Sequence, residues 1–475
     1  MLNTITIEML AVRYAALKTA GVKFILPQFT DIHGVAKGKL IPIDQWQSLY
    51  TIGAGFAGPS IWGTGLGRTG HSSEYYARAD ENSAVQQLPW QPEVARVVCD
   101  GYVAGKPFAA DPRQVLKAQI KKLAELGFVC NVGIEPEFFI LSTADSTKTA
   151  GSQTVGSLNV GLGINDTQDT LEKPSYDLNA LFKSPVYPLI SQLHDTLLAL
   201  DFDVVQLDHE DAPGQYEINY TYDHALAAAD RFMLFKLAAH GVAAQHGQAI
   251  SFMPKPFADR PGSGLHFHLS LSTLDGKDVC AGEQGELLSA TALSALGGLL
   301  KHAPALTAIH APTVNSYKRL VIGRSLSGTT WAPAHIAYGF NNRTCVARTL
   351  AGRFEWRLPD PSCNVYLALA GVIAAMIDGL ENQLNPAKMG VNSTTGLHRD
   401  DDLYECTAAD LEKAGIHHLP QNLGEAIAAL ETDTALVAAI GVDVMAQFIE
   451  LKRMEWIDYS RHVSDWEIAQ YARKF

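Results

Sequence analysis

The chain lacks paired cysteines. Its six (Cys99, Cys130, Cys280, Cys345, Cys363 and Cys406) are scattered through 475 residues without a CxxC pair. That excludes a disulfide framework and a zinc–thiolate site, and it is the pattern of a reduced, cytoplasmic protein. Cationic excess is also missing: 37 Lys+Arg against 50 Asp+Glu leave a net charge of −13. This argues against a general nucleic-acid binder and against attachment to anionic membranes. Apolar stretches such as "VYLALAGVIAAMIDGL" are too short, and too closely followed by charge, to span a bilayer. The opening "MLNTITIEMLAVRYAALKTAG" carries Glu8 and Arg13 in its middle, which reads as an amphipathic helix rather than a secretion signal. What remains, 47% hydrophobic and 18% charged, is a globular chain large enough for two or three domains.

Two absences are local. No Asp or Glu occurs between Asp44 and Glu74, and none between Asn315 and Glu355. The second stretch, "NSYKRLVIGRSLSGTTWAPAHIAYGFNNRTCVARTLAGRFEWRLPD", holds six arginines and, before Asp360, the single acid Glu355. Arginine clusters suit phosphate or carboxylate ligands. The task of the lone acid has to be read from the rest of the chain.

Apolar spacing predicts a leading helix over 6–20, stopped at Gly21. "VKFILPQFTDIHGVAKGKLIP" then predicts two strands around a turn at Asp31–Gly34. The pattern stays short-stranded, with a glycine-dense stretch at 53–70, which sets apart a small domain over 1–110. "DPRQVLKAQIKKLAELG", with Pro in its first turn and Gly at its end, starts a helix and opens a larger domain over 111–475. Its strands read as hairpin partners rather than βαβ repeats, separated by helices around 187–200 and 223–246, and the tail from about 365 is helical. The expected fold class is α+β.

Three strand-like segments share one feature. Glu135 and Glu137 in "IEPEF", His266 and His268 in "LHFHL", and Arg353, Glu355 and Arg357 in "RFEWRL" are each two residues apart. Side chains at i and i+2 leave a strand on the same face, with Phe138, Phe267, Phe354 and Trp356 on the other. "HEDAPGQYEINY" adds Glu210 and Glu217 across a Pro-Gly turn. Each pair alone is compatible with a solvated strand edge. Together, carboxylates gathered on one sheet face repel one another unless cations neutralise them. Five glutamates and a histidine suit two hard divalent ions such as Mg²⁺ or Mn²⁺, and the arginines then suit nucleotide phosphates.

Seven ordered motifs give the chain a family. "FTDIHGVAKGKLIP", "IEPEFFI", "HEDAPGQYE", "FMPKPF…GSGLHFHLSL", "NSYKRL", "NNR" and "RFEWRLPDPSCNVYL" resemble those of glutamine synthetase along nearly the whole length, with most similarity to its type III and γ-glutamylmethylamide synthetase group. The resemblance implies a small N-terminal β-grasp domain, then a catalytic domain built on a curved antiparallel sheet with helices. It implies that Glu137, Glu210 and Glu217 hold the metal beside glutamate, and that Glu135, His266 and Glu355 hold the metal at the ATP phosphates. The lone acid would thus be a metal ligand. By the same resemblance Arg319, Arg357 and Gly262 receive glutamate, Arg343, Arg348 and Arg353 face ATP and the transferring phosphoryl group, His268 and Ser270 lie near the nucleotide, and Tyr222 packs on adenine. The implied reaction is ATP-dependent: glutamate becomes a γ-glutamyl phosphate, an amine attacks it, and ADP and phosphate leave. Two stacked hexameric rings with sites shared between neighbours, and a role in nitrogen metabolism, come with the family.

The departures from the family fall in the acid-free stretches. Ammonia-using relatives build an acidic amine pocket, yet "GFAGPS" has Ala57 where an aspartate is expected, and "TTWAP" has Trp331 where a glutamate is expected. One reading is an acceptor with an apolar substituent that Trp331 encloses, such as methylamine, ethylamine or an aromatic amine. The other is that ammonia remains the acceptor and its base comes from elsewhere. A non-catalytic ring-forming relative has no use for the six metal-ligand positions and five arginines, and a polyamine ligase should have kept acids. Pro261 stands where relatives often carry Asn. Tyr404, near a tyrosine that some relatives adenylylate, is expected to be a plain surface residue.

Overall fold

The computed structural model describes residues 7–68, 73–143, 162–164, 175–183, 186–283, 285–322, 330–390 and 396–475. The leading helix runs over Ile7–Thr19. Its inward face follows the predicted spacing: Leu10 is buried and Tyr14 and Leu17 pack on the core, while Val12 faces out. The expected hairpin forms, with Phe24–Thr30 pairing antiparallel to Ala36–Lys37. Asp31 makes the turn by accepting the backbone N–H of His33 and Val35 on Oδ1.

This first sheet centres on the long strand Gln91–Val103. Phe24–Thr30 joins it in parallel and Glu74–Ala79 antiparallel. The parallel pair is not legible as a hairpin, because its partners lie some seventy residues apart. Ile25, Phe29, Trp46, Tyr75, Ala95 and Val97 form the core on this sheet. Ala54–Ala57 is its edge strand.

The second sheet carries the motifs. Its strands lie in the order Val204–His209, Gln215–Tyr220, Phe128–Thr143, Leu265–Thr273, Arg353–Trp356, Cys345–Leu350 and His335–Phe340. All these neighbours pair antiparallel except the last two strands, which run in parallel. Three shorter strands add along Phe128–Thr143. Phe138, Phe267, Phe354 and Trp356 are fully buried on one face, as the i, i+2 pattern predicts. The helices Ala225–Gln245, Ala290–His310 and Val365–Glu381 contribute to the same core.

Two polar devices join the sheets. Helix Pro112–Glu125, capped by Asp111, buries Arg113, which meets Asp80 at 2.7 Å, Asp100 at 2.6 Å and Asp230 at 2.7 Å. Asn364 caps helix Val365–Glu381 with its Oδ1 and donates its amide to the carbonyls of Asp31 and Ile32. The core of the second sheet also takes in Ile32, Leu88 and Val94. The architecture is mixed α+β, and the C-terminal stretch is helical through Asp465–Tyr471. Among the described residues no single helix is long and apolar enough to cross a membrane.

Candidate active site

Strand register assembles the motif residues. Glu217 sits opposite Glu137, His266 opposite Glu135, and Glu355 opposite both His268 and Arg348. Paired residues share a sheet face, so acids, imidazoles and guanidinium groups cross five strands in one band. This band floors a cleft bordered by Glu135, Glu137, Glu210, Glu217, His266 and Glu355, with Arg319, Arg343, Arg348, Arg357, Gly262 and Trp331. All six expected metal ligands and four of the five expected arginines therefore meet in one place.

His266 is the hub. Its Nδ1 lies 3.3 Å from Glu355 and 3.7 Å from Glu135, and its Nε2 lies 3.8 Å from Glu137. Two sets of three donors approach within 4.8 Å of one another: Glu135, Glu217 and His266, and Glu135, His268 and Glu355. The first set spans both of the expected ligand triplets. The second brings in His268, expected only near the nucleotide, whose Nε2 lies 2.9 Å from Glu135. Oxygen-rich donor sets with one nitrogen fit Mg²⁺ or Mn²⁺.

The two ends of the cleft differ in charge. Burial, then the neighbouring Glu137, Asp208 and Asp211, pushes Glu210 up to about 8. Burial and the carboxylates of Glu135, Glu137 and Glu210 push Glu217 well up. At the other end burial works against the charge of Glu355, but Arg357, His266 and Arg348 overcome it and hold the carboxyl at about 2. Arg357 donates to Glu355 at 2.7 Å, and Arg348 pairs with its other oxygen. Glu135 is likewise held low, against its burial, by His266 and His268.

Arg319 is buried and already fastened: it donates to the carbonyls of Leu358 and Arg357, each at 2.9 Å. Its passage requires glycine beside it. A Cβ on Gly262 would stand 2.8 Å from Arg319 Cγ, and one on Gly264 would stand 2.5 Å from His266 Nε2. Glu137 is oriented by the Gly264 N–H at 3.0 Å and the Gln215 amide at 3.1 Å.

Arg353, Ser270, Tyr222 and Ala57 lie outside the cleft lining. Arg353 is exposed and donates to His268 Nδ1 at 3.2 Å. Ser270 is on the same face one step along, opposite Asn131, and exposed Tyr222 flanks Gly133, the residue opposite His268. Within one chain Ala57 is exposed on the edge of the other sheet, away from the cleft. Trp331 borders the cleft in a left-handed backbone conformation, φ +48°. Pro261 lines the cleft beside Gly262. Tyr404 corrects an expectation: it is half-buried, and its hydroxyl donates to the Ala332 carbonyl at 2.7 Å. Residues 323–329, part of the acid-free stretch ahead of Trp331, lie outside the described residues.

Sequence reasoning missed Tyr176, Gln206, Asp208 and Asp211, all of which border the cleft. For Asp208 the signal was present: it stands two residues before Glu210, near the end of the strand Val204–His209, and pairs with Glu217. Tyr176 comes from a loop and carries no comparable pattern.

The comparisons with known proteins agree with this geometry. Residues 109–471 match the family described as glutamine synthetase, catalytic domain. The chain is 46% identical over 463 residues to the glutamate–methylamine ligase of Methyloversatilis universalis, covering 97% of this chain and 98% of the relative. It is 38% identical over 457 residues to a glutamine synthetase of Rhizobium leguminosarum bv. phaseoli, covering 95% and 97%. The solved structure of a GmaS/ADP complex superposes with a TM-score of 0.85 at 38% identity, covering 97% of this chain and 99% of that one. By its motifs, its fold and these matches, the chain belongs to the glutamine synthetase family.

Proposed function

We propose that this chain joins L-glutamate to a small alkylamine, with methylamine as the first candidate. It is an ATP-dependent ligase of the glutamine synthetase type; the choice of acceptor is the finer reading. The observation that carries it is Trp331: an indole borders the cleft where an acid is expected, and two stretches of the chain are free of acid. The 46% identical relative is named a glutamate–methylamine ligase.

In this reading Arg319 and Arg357 hold glutamate, with Gly262 and Gly264 leaving room for its backbone. Arg343, Arg348 and Arg353 receive the nucleotide phosphates, and Tyr222, His268 and Ser270 flank the base and sugar. Glu135, Glu137, Glu210, Glu217, His266 and Glu355 would hold two divalent cations, Mg²⁺ or Mn²⁺. Bound there, such cations offset negative charge on the phosphoryl group in transfer. The chain's own work is to align the γ-carboxylate of glutamate with the γ-phosphate, to meet the developing charge with guanidinium groups, and to exclude water from the acyl phosphate. The amine then attacks the carbonyl carbon, the C–O bond to phosphate breaks, and a γ-glutamyl amide leaves with ADP and phosphate. We further place the domain boundary near residue 110, the assembly at two stacked hexameric rings, and the enzyme in the cytoplasm. Trp62 and, near the C-terminus, Val463, Trp466, Ile468 and Phe475 are exposed apolar side chains suited to cover by neighbouring copies.

One observation favours ammonia instead: Asp208 and Asp211 reach the cleft from outside the acid-free stretches and offer a base. Phosphate release with ATP, Mg²⁺ and glutamate, measured across ammonium, methylamine, ethylamine, putrescine and aniline, separates the two. Methylamine is expected to exceed ammonium in kcat/KM by at least about tenfold, or about 1.4 kcal/mol in the transition state. Ammonium winning that comparison overturns the alkylamine reading.

A further inference from the structure

Trp331 adopts a backbone conformation that a bulky side chain rarely takes. Such a conformation persists only where its surroundings hold it, and here both peptide carbonyls after it are gripped. Arg357 Nη2 approaches the Trp331 carbonyl at 3.4 Å. The next carbonyl, of Ala332, accepts the Ala334 N–H at 2.9 Å and the Tyr404 hydroxyl at 2.7 Å. Of these three donors, Tyr404 alone comes from a distant side chain that touches neither glutamate nor phosphate in the proposed mechanism.

The loop that presents Tyr404 is well anchored. Its residues are laced along the edge strand His335–Phe340: Tyr338 donates its N–H to Leu397 at 3.0 Å and accepts from Arg399 at 2.8 Å. Asn342 donates its amide to the carbonyls of Arg399 and Asp401, and the Leu403 N–H reaches Thr344 Oγ1 at 3.2 Å. Asp402 then fixes the Tyr404 N–H at 2.9 Å. The Tyr404 hydroxyl is thus tied to the same sheet as the reacting groups.

We infer that Tyr404 is a positioning residue for the acceptor amine: by holding the Ala332 carbonyl it keeps Trp331 at the cleft wall, and so sets the preference between an alkylated amine and ammonium. This rests on the reading that Trp331 borders the amine site. In the proposed mechanism Tyr404 contacts neither glutamate nor ATP, so its loss is expected to act on one substrate. A merely structural tyrosine would affect all three substrates alike, or none.

The test uses the full-length enzyme with Tyr404→Phe, which removes one hydroxyl and keeps the ring. The KM for methylamine is expected to rise about tenfold while kcat and the KM values for glutamate and ATP stay within about twofold. In a Trp331→Ala background the same substitution is expected to have no further effect, since the two residues act as one unit. Fluorescence gives an independent readout: Tyr404→Phe should raise acrylamide quenching, and that rise should vanish in a Trp331→Phe background. Equal effects of Tyr404→Phe with and without Trp331 overturn the inference, as does a parallel rise in all three KM values or no change at all. If the wild-type enzyme prefers ammonium, the alkylamine reading fails by itself. The Tyr404–Trp331 cycle is then run with ammonium and decides the inference on its own terms.

Discussion

The two ends of the cleft solve one problem in opposite ways. Around Glu355 the buried carboxylate is neutralised from within: two arginines and a histidine hold it ionised at about 2. Around Glu210 and Glu217 the described residues form no such ion pair, and the carboxyl groups are pushed upward by burial and by neighbouring carboxylates. At the first end the carboxylate is already ionised as folded and ready to meet a cation. The second is shaped for positive charge that the described residues do not themselves supply, which is why a run of acids on one sheet face reads as a cation site rather than as a solvated edge.

The sharpest way to break this comparison is to delete one carboxylate from each end. Glu355→Ala leaves the buried Arg357 and the half-buried Arg348 without their partner and is expected to cost about 3–5 kcal/mol of stability. Glu217→Gln replaces a carboxyl that is costly to ionise in the folded chain with a neutral amide and is expected not to lower the metal-free melting temperature. Both should reduce phosphate release by at least about 10–100-fold, the loss seen when only a supporting partner of a metal ligand is removed. Melting curves and rates on the same preparations decide it, and equal destabilisation by the two changes would erase the distinction.

Proton linkage gives a second contrast, with opposite signs. Between the ordinary carboxylate value of 4.5 and about 8, folded Glu210 keeps a proton that the unfolded chain has released. Its contribution to metal-free stability is therefore expected to fall as the pH rises through that window. Glu355 behaves the other way: its contribution is present above 4.5 and lost as the pH falls toward 2. Saturating Mg²⁺ or Mn²⁺ should suppress the high-pH loss and release protons on binding. Melting temperatures across pH, with and without the ion, check the first claim, and calorimetry in buffers of different ionisation heat checks the second.

The smallest expected effect lies at the wall of the cleft. Trp331→Ala should reduce the preference for methylamine over ammonium by about tenfold, within the range of about 10–200-fold that one enclosed carbon commands. It should leave the KM for ATP unchanged.

Much of this site was legible before any coordinates, because its chemistry is written in period two. Glu135 and Glu137, His266 and His268, and Arg353, Glu355 and Arg357 could be assigned to one face, and their apolar neighbours to the other, from alternation alone. Which strand lies beside which was not legible: the pairing of Glu217 with Glu137, or of Arg348 with Glu355, joins residues far apart in the chain, and only the folded core selects it. The motifs' resemblance to a family filled that gap. Features off the strands stayed hidden. Tyr176 sits on a loop without periodicity, and Tyr404 reads as a surface residue until its hydroxyl is seen on the Ala332 carbonyl. The parallel pair in the first sheet and the Arg113 carboxylate cluster likewise depend on contacts that no local pattern announces.

The hydrogen-bonded ladder that carries the acids and arginines does not include Trp331 or its neighbours, and Ala57 stands on an exposed edge strand of the other sheet. Substitution at either position leaves the register of the reacting groups untouched. On the proposed reading of Trp331, the nucleophile accepted can therefore change by small mutational steps while the frame that carries the phosphoryl-transfer groups stays folded. Novelty falls on the turn and the rim, where it is tolerated, while the phosphoryl chemistry is inherited whole.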